Sequence, residues 1–446
     1  MSTSAPLPDR ETLERWAARA LGLARDAGAT QAEAEVSAGR GLSVTVRKGE
    51  VESLEFHRDR DLSITVLFGK RSAHASTSDL SDGGVAEAVA AACSIARSSQ
   101  EDPANGLADA TRMAQSFPDL DLLHPWALSA DEAIERARAC EAAAFAVDAR
   151  ITQSEGASLS SFQGVELYAN SHGFIGERQG TRHSLSCAVI AVDGEEMQRD
   201  DWWTSARAAG DLEALEQVGR KAGERAVARL GAKKLSTRHT PVVFAPDMAR
   251  SLFGHFVGAV SGGALYRKAS FLLDKAGQKI FSPIVTLEQK PFLLRGNASA
   301  SFDHEGVATT ERVLVSEGVL EGYVLGSYSA RKLGLQSTGN AGGVFNLVAR
   351  PGALDLAGLL REMGSGLLVT ELMWQGVNTV TGDYSRGAAG FWVENGEAKY
   401  PVHEITVAGN LAEMFQRIRG LGSDVDARGG IRCGSVLVDG MTVAGQ

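Results

Sequence analysis

The 446 residues, 44% hydrophobic and 22% charged, suit a globular protein of two or three domains rather than a disordered or fibrous chain. A net charge of −10, with no basic run longer than the two residues of Arg47-Lys48 or Lys233-Lys234, argues against nucleic acid as a partner, because phosphate tracking needs clustered Lys and Arg. No apolar run approaches the ~20 residues that span a bilayer, and MSTSAPLPDRETLE lacks a basic region followed by an apolar core, so no membrane association and a cytoplasmic location are expected.

In chain order, the pattern predicts an amphipathic helix over Glu11–Ala27, closed by Gly28. Alternating segments follow at Ala32–Ser37, Leu42–Arg47, Val51–His57 and Leu62–Phe68, with a hairpin turn at Lys48-Gly49-Glu50. A second helix is expected near Val85–Arg97. After a polar connection over Ser98–Ser129 the order recurs: helix Ala130–Val147, strands near Ser154–Ser161, Val165–Ala169, Ser184–Val192 and Met197–Ser205, then helix Leu212–Leu230. Two copies of helix, antiparallel strands, helix is the simplest account, and short loops such as Val192-Asp193-Gly194 favour antiparallel sheets.

The stretch Gly231–Thr240 reads as a linker into a half of different texture, rich in glycine and short strands. Hairpin signals stand at Ser316-Glu317-Gly318 and Glu394-Asn395-Gly396, and helices are few, near Asp247–Val260, Ser327–Leu333, Leu356–Glu362 and Leu411–Ile418. The expectation is therefore an α+β protein, with an N-terminal part of duplicated helix/antiparallel-strand/helix units (1–125 and 126–235) and a β-rich C-terminal domain with few helices (236–446).

The candidate chemistry is defined largely by missing ligands. A zinc peptidase needs imidazoles or thiolates converging on the metal and a carboxylate to take the proton of its water. The nine histidines (His57, His74, His124, His172, His183, His239, His255, His304 and His403) contain no pair at helical i, i+4 spacing. His403-Glu404 begins an H-E-x-x pattern, but Val407 stands where a ligand would be and the segment alternates like a strand. Cys93, Cys140, Cys187 and Cys433 are far apart with no C-x-x-C, which disfavours a disulfide framework. There is no G-x-S-x-G elbow. Ser337-Thr338-Gly339-Asn340-Ala341-Gly342-Gly343 lacks the Lys-Ser/Thr of a phosphate-binding loop, so it reads either as a tight loop or as a place where a peptide backbone approaches closely. Asp383 and Arg386, in Thr381-Gly382-Asp383-Tyr384-Ser385-Arg386-Gly387, could pair with each other or grip a peptide. Trp202-Trp203 and Tyr266-Arg267-Lys268 are possible interface anchors; for the tryptophans, alternate-face packing on a strand is the competing role.

Four segments carry a family resemblance: Phe253–Ser270, Ser327–Asn346, Val369–Asn410 and the Ile431-Arg432-Cys433-Gly434-Ser435 end. Through them the chain resembles the PmbA (TldE) branch of the TldD/PmbA metallopeptidase family, also called modulators of DNA gyrase. TldD-type members carry a zinc-binding H-E-x-x-x-H before an Arg-Lys-Gly-Ser, which matches Arg267-Lys268-Ala269-Ser270 here. That alignment puts the first ligand histidine on Gly254, the glutamate on His255 and the second histidine on Ala259, so all three roles are lost. Cys433 matches a cysteine that is a further zinc ligand in TldD-type members, and one thiolate cannot hold zinc alone. His255 is left either as a hydrogen-bonded histidine of ordinary kind or as a polar contact kept in the old site.

The resemblance implies a subunit of a cytoplasmic metallopeptidase acting on unfolded peptides, in leader-peptide removal and antitoxin degradation. A TldD-type catalytic subunit would be the partner and would hold the zinc; none is expected on this chain, and no catalytic residue. Tyr266, Arg267, Thr338, Gly339, Asn340, Asp383, Tyr384 and Arg386 would line the substrate cleft. Two other readings stay open: a stand-alone peptidase with a non-zinc nucleophile, and a non-enzymatic adaptor for disordered peptides. A homodimer is expected where no partner covers the docking face.

Overall fold

The computed structural model describes residues 6–373 and 376–445. The first half repeats one order of elements. The first copy is α1 (Arg10–Asp26), β1 (Gln31–Arg47), β2 (Glu50–Phe68), β3 (Arg71–Thr77) and α2 (Asp82–Ser98). The second is α3 (Ala130–Phe145), β4 (Ile151–Asn170), β5 (Ile175–Asp193), β6 (Glu196–Ala206) and α4 (Leu215–Ala228). The strands form a single sheet in the order β3-β2-β1-β4-β5-β6, all antiparallel. The duplication expected from sequence is thus present, with the two copies joined edge to edge through β1 and β4.

The strands are longer than the sequence pattern suggested. The expected breaks at Ser37/Leu42 and His57/Leu62 do not occur; β1 and β2 run through them, as β4 runs through the break expected before Val165. Glycine in a strand normally weakens it. Here Gly39, Gly41 and Gly164 lie under the ring of Phe162, where a Cβ would fall 2.5 Å, 3.0 Å and 3.1 Å from ring atoms. An aromatic ring laid across the glycines covers their backbone and keeps the ladder intact. The strand β3 was not anticipated, since Arg71-Ser-Ala-His-Ala-Ser-Thr77 has little apolar content.

All four helices cover one face of this sheet. α1 and α2 pack on Ala32, Ala34, Val36 and Ala38 of β1 together with Val165 and Leu167 of β4. α3 and α4 pack on Leu42, Val44 and Val46 of β1 with Ala157 and Leu159 of β4. Close approach of α3 and α4 depends on small residues: a Cβ on Gly219 would stand 1.9 Å from the Cys140 carbonyl oxygen, and one on Gly223 2.7 Å from that of Ala144. Glu141, buried on α3, accepts the backbone N–H groups of Lys48 and Gly49 at 2.8 Å each and so pins the β1–β2 turn.

The second half contains β7 (Arg238–Phe244), α5 (Pro246–Ala259), α6 (Gly262–Tyr266), β8 (Leu287–Gln289), β9 (Arg312–Ser316), β10 (Val319–Leu320), α7 (Ser327–Lys332), β11 (Leu347–Ala349) and α8 (Leu356–Met363). It continues with β12 (Gly366–Met373), β13 (Asp383–Glu394), β14 (Glu397–Asn410), α9 (Leu411–Gln416), β15 (Ile418–Leu421), β16 (Ile431–Arg432) and β17 (Val436–Ala444). One sheet runs β14-β13-β12-β7-β17-β15 and a smaller one β10-β9-β8-β11-β16. Both expected hairpins are present, with left-handed residues at Glu317-Gly318 and Asn395-Gly396. One core joins α5, through Leu252, Phe253 and Phe256, to Phe281, which stacks on Phe415 with centroids 4.3 Å apart. Among the described residues no helix is long and apolar enough to cross a membrane.

Two helical glycines should respond in opposite senses. Gly22 in α1 has no atom within 4 Å of a Cβ position, so Gly22→Ala should stabilise by about 0.5–1 kcal/mol through helix propensity alone. Gly219→Ala must push α4 off the Cys140 carbonyl and should destabilise by about 2 kcal/mol or more despite the same propensity gain. Paired denaturant melts check both; equal shifts would show that α3–α4 spacing is not set at Gly219.

Candidate functional site

The site is built on α5, which enters directly from β7 with Pro246 at its first position and Asp247 in its first turn. Ala249, Leu252, Phe253, Phe256 and Ala259 form its buried face. Its outer side meets the first half, whose β1–β6 form the long sheet: Asp247 lies 3.9 Å from Arg225 of α4, and Arg250 sits 5.2 Å over the Trp203 ring of β6 and 3.9 Å from Asp426.

The three motif positions fall in different surroundings. A Cβ on Gly254 would meet only Ile431 Cδ1, at 3.8 Å, so packing does not require glycine there. Ala259 is fully buried, and its carbonyl accepts the Ser270 hydroxyl at 2.5 Å. His255 is half-buried. Its ring meets the edge of Tyr384, centroids 6.0 Å apart, and burial together with the Arg386 charge holds the imidazole below its usual range. Among the described residues the buried Nε2 of His255 and the hydroxyl of Tyr384, a residue 1% exposed, meet no hydrogen-bond partner at bonding geometry, although the Arg386 guanidinium lies close enough to act on the phenol. Burial pushes the Tyr384 phenol up to about 12, with Arg386 acting in the opposite direction. At neutral pH the cluster therefore offers a neutral imidazole, a neutral phenol and a guanidinium.

Of the positions matched to zinc ligands, Gly254 and Ala259 carry no side-chain donor for a metal. Zinc takes thiolate sulfur, and Cys433 is buried with its thiol pushed up to about 12 by burial and by the Asp426 charge. Its sulfur lies 3.9 Å from the Pro246 carbonyl. Among the described residues no three His, Cys, Asp or Glu side chains are grouped so that they could share a metal.

The other sequence-selected residues divide into two kinds. Tyr266 and Arg267 remain at the surface: Arg267 Nη1 donates to the Tyr266 hydroxyl at 3.2 Å, and Tyr266 meets Tyr328 edge-on at 5.7 Å. The loop 337–343, by contrast, is consumed by internal bonds. The Thr338 hydroxyl accepts from Leu325 N at 2.9 Å and donates to Asn340 Oδ1 at 2.8 Å. A Cβ on Gly339 (φ +69) would strike the Ala308 carbonyl at 2.4 Å. Asn340, 3% exposed, donates to Gln289 Oε1 at 2.6 Å and to the Gly343 carbonyl at 2.8 Å. Asp383 is exposed and accepts from Thr381 (2.6 Å) and Asn410 (3.2 Å), while Arg386 donates to the Leu372 carbonyl at 3.4 Å. His255, Tyr384 and Arg386 are thus brought together, and Thr338, Gly339 and Asn340 form the frame of a loop.

One contact beside α5 was not foreseen. Arg428 grips Asp426 with two bonds of 2.9 Å and donates to the Trp203 carbonyl at 2.7 Å. Its guanidinium lies 4.1 Å over Trp202 and 4.5 Å over Trp203. Asp426 N in turn bonds the Cys433 carbonyl at 2.9 Å. The Asp-x-Arg spacing of residues 426–428 was the available signal, although the tryptophans it meets are about 225 positions away in sequence.

Family models cover most of the chain: PmbA/TldA metallopeptidase domain 1 over residues 32–96, the central domain over 123–230 and the C-terminal domain over 237–445. Metalloprotease PmbA of Escherichia coli O157:H7 is 50% identical over 98% of this chain and 97% of its own. A PmbA homolog of Haemophilus influenzae is 44% identical over 100% and 99%; a TldD homolog of the same organism is 23% identical over 84% and 82%. A crystal structure from Bacteroides thetaiotaomicron, described as a modulator of DNA gyrase, superposes with a TM-score of 0.92 at 30% identity, covering 97% of this chain and 99% of its own.

Two substitutions separate frame from site. Asn340→Ala strips partners from Gln289, Thr338 and the Gly343 carbonyl and should cost about 2–4 kcal/mol in a chemical melt. Tyr384→Phe removes a buried hydroxyl that has no partner at bonding geometry among the described residues, and should raise stability by about 1 kcal/mol. A loss on Tyr384→Phe would mean that the hydroxyl is bonded within the fold.

Proposed function

We propose that this chain, which belongs to the PmbA/TldD metallopeptidase family, is the subunit that shapes a peptide-binding cleft for a zinc-bearing, TldD-type partner and holds no catalytic zinc itself. The observation that carries this reading is α5, where Gly254, His255 and Ala259 occupy the motif positions while the helix keeps its buried face and its ties to the long sheet. A helix disabled by drift has no reason to keep an imidazole, a buried phenol and a guanidinium side by side. Their polar atoms suit the carbonyl and N–H groups of an extended, unfolded peptide, the substrate class for this subunit in the cytoplasm.

The chemistry of peptide hydrolysis then resides in the partner. Zinc there would supply the activated water. The residues of this chain would bind and orient: Arg386 and Tyr384 as donors, His255 as donor or acceptor according to tautomer, with Tyr266 and Arg267 at the exposed margin.

The test is reconstitution. The isolated chain should carry far less than one zinc per molecule and leave an unstructured peptide uncut, and activity should emerge on adding a TldD-type subunit. In the mixture, His255→Ala or Cys433→Ala should leave zinc content intact, and His255→Ala should raise KM more than it lowers kcat. Stoichiometric zinc with robust cleavage by the chain alone, or zinc loss in either variant of the complex, would overturn the reading.

A further inference from the structure

The helix-bearing face of the long sheet carries a second polar site, remote from α5. On β1, Ala38 belongs to the core under α1 and α2, and Leu42 to the core under α3 and α4; Arg40 lies between. On β4, Ser161 and Gln163 occupy the same interval between Leu159 and Val165. Above this belt lies a cavity of about 640 Å³, walled by Leu42, Phe56, Pro125, Trp126 and Leu128. That is within the range of small-ligand sites, and the mixture of aromatic walls with a few convergent polar groups is typical of them.

Its polar groups are of definite kinds. Arg40 and Arg58 stand directly opposite each other in the β1–β2 register, a like-charge pair that repels across strands. Arg40 reaches Gln163 Oε1 at 2.9 Å. No Asp or Glu is among the described residues that line the cavity. At its other end His183, fully buried beneath the edge of Trp126, bonds the His124 carbonyl through Nε2 at 3.0 Å. A carbonyl only accepts, so Nε2 carries the proton, and burial keeps the ring neutral. Nδ1 must then accept the Ser161 hydroxyl proton at 2.9 Å, and what Ser161 presents to the cavity is an oxygen lone pair. Ser161 and Gln163 are alternate residues on one face, about 7 Å apart, a span bridged by one residue's amide N–H and carboxylate with a hydrogen bond at each end.

We propose that this cavity binds an N-acylated apolar amino acid, free or as the C-terminal residue of a peptide. Its carboxylate lies on Arg40 and Arg58, its amide N–H donates to Ser161, and its side chain lies among Leu42, Phe56 and Trp126. The site does not depend on the assignment of α5, because no residue is shared between them.

Calorimetric titration of the full chain with N-acetyl-phenylalanine tests it. Binding should be weakened at least about tenfold when the carboxylate is replaced by a primary amide, and likewise by Arg58→Gln, whose exposed position leaves folding intact. O-acetyl-phenyllactate, an ester lacking the N–H, should bind more weakly to the wild type and no differently to Ser161→Ala. Tighter binding of Ala-Ala-Phe than of N-acetyl-phenylalanine would identify a peptide terminus as the ligand, and equal binding a free acyl amino acid. Absence of binding at millimolar concentration, or equal affinity for acid and amide, would overturn the proposal. Retained binding with loss of peptidase activity in the reconstituted complex would fault the reading of α5 alone.

Discussion

The antiparallel ladder between β1 and β4 fixes everything built around it. Fourteen successive residue pairs, Glu33↔Asn170 to Val46↔Ala157, join the two copies into one sheet. Because side chains alternate along a strand, that register determines at once which residues of both copies face the helices. Even-numbered β1 residues and odd-numbered β4 residues share that face, and the opposite face is left free to receive the C-terminal half. A slip of one residue would send either Val36 and Val44 or Leu159 and Leu167 to the side opposite their partners. Phe162 guards the centre of the ladder by covering Gly39, Gly41 and Gly164, the positions at which it would otherwise be weakest.

On the free face the contacts are polar and aromatic rather than plainly apolar. Arg178 donates to the Phe302 and Asp303 carbonyls at 2.8 Å and 2.7 Å while lying 4.2 Å over the Phe302 ring. Asp303, fully buried, accepts from Glu305, Val307 and Ala341 N–H groups, so the loop carrying it is bound to the loop carrying Asn340. Burial raises its carboxyl to about 6, opposed by those three donors. At the other end of the interface Arg428 reaches from Asp426 to the Trp202-Trp203 pair. Since Asp426 also bonds the Cys433 backbone, the clamp fixes the chain's last strands against the sheet. The α5 helix joins the second tie through Arg250, which lies 3.9 Å from Asp426 and 5.2 Å over the Trp203 ring.

How much of this was legible depended on the distance over which each residue finds its partner. Lys48-Gly49, Glu317-Gly318 and Asn395-Gly396 declared their hairpins because left-handed backbone is a local requirement. The α5 boundaries followed from Pro246 and the apolar spacing after it. Gly39 and Gly41 were misread as a break because the ring that rescues them is some 120 residues later. Gly339 and Asn340 suggested a ligand loop for the same reason: Gln289 and Ala308, which occupy them, are visible only in three dimensions. Tyr384 stood inside a recognisable block, but nothing in the block indicated that its hydroxyl would be buried beside His255 and Arg386.

That last feature bears on why the site has its present form. Leaving a buried hydroxyl and a ring nitrogen unpaired costs about 1–3 kcal/mol each, a large share of the stability of a domain. Asn340, Asn346, Asp303 and His183 each have two or more partners, whereas Arg207 Nε, Asn297 Oδ1 and Arg432 Nε share the state of His255 and Tyr384, buried with no partner among the described residues. A fold able to complete those networks could place Phe at 384 without disturbing its packing, because the ring already fills the space. These buried atoms stand beside a guanidinium, on a helix whose position 254 has room for a side chain, so the function proposed above requires local opening before a peptide can reach them. On the function proposed above, the side chains at 254, 255 and 259 and the neighbouring Tyr384 and Arg386 belong to one arrangement, in which α5 holds a peptide and the partner cuts it.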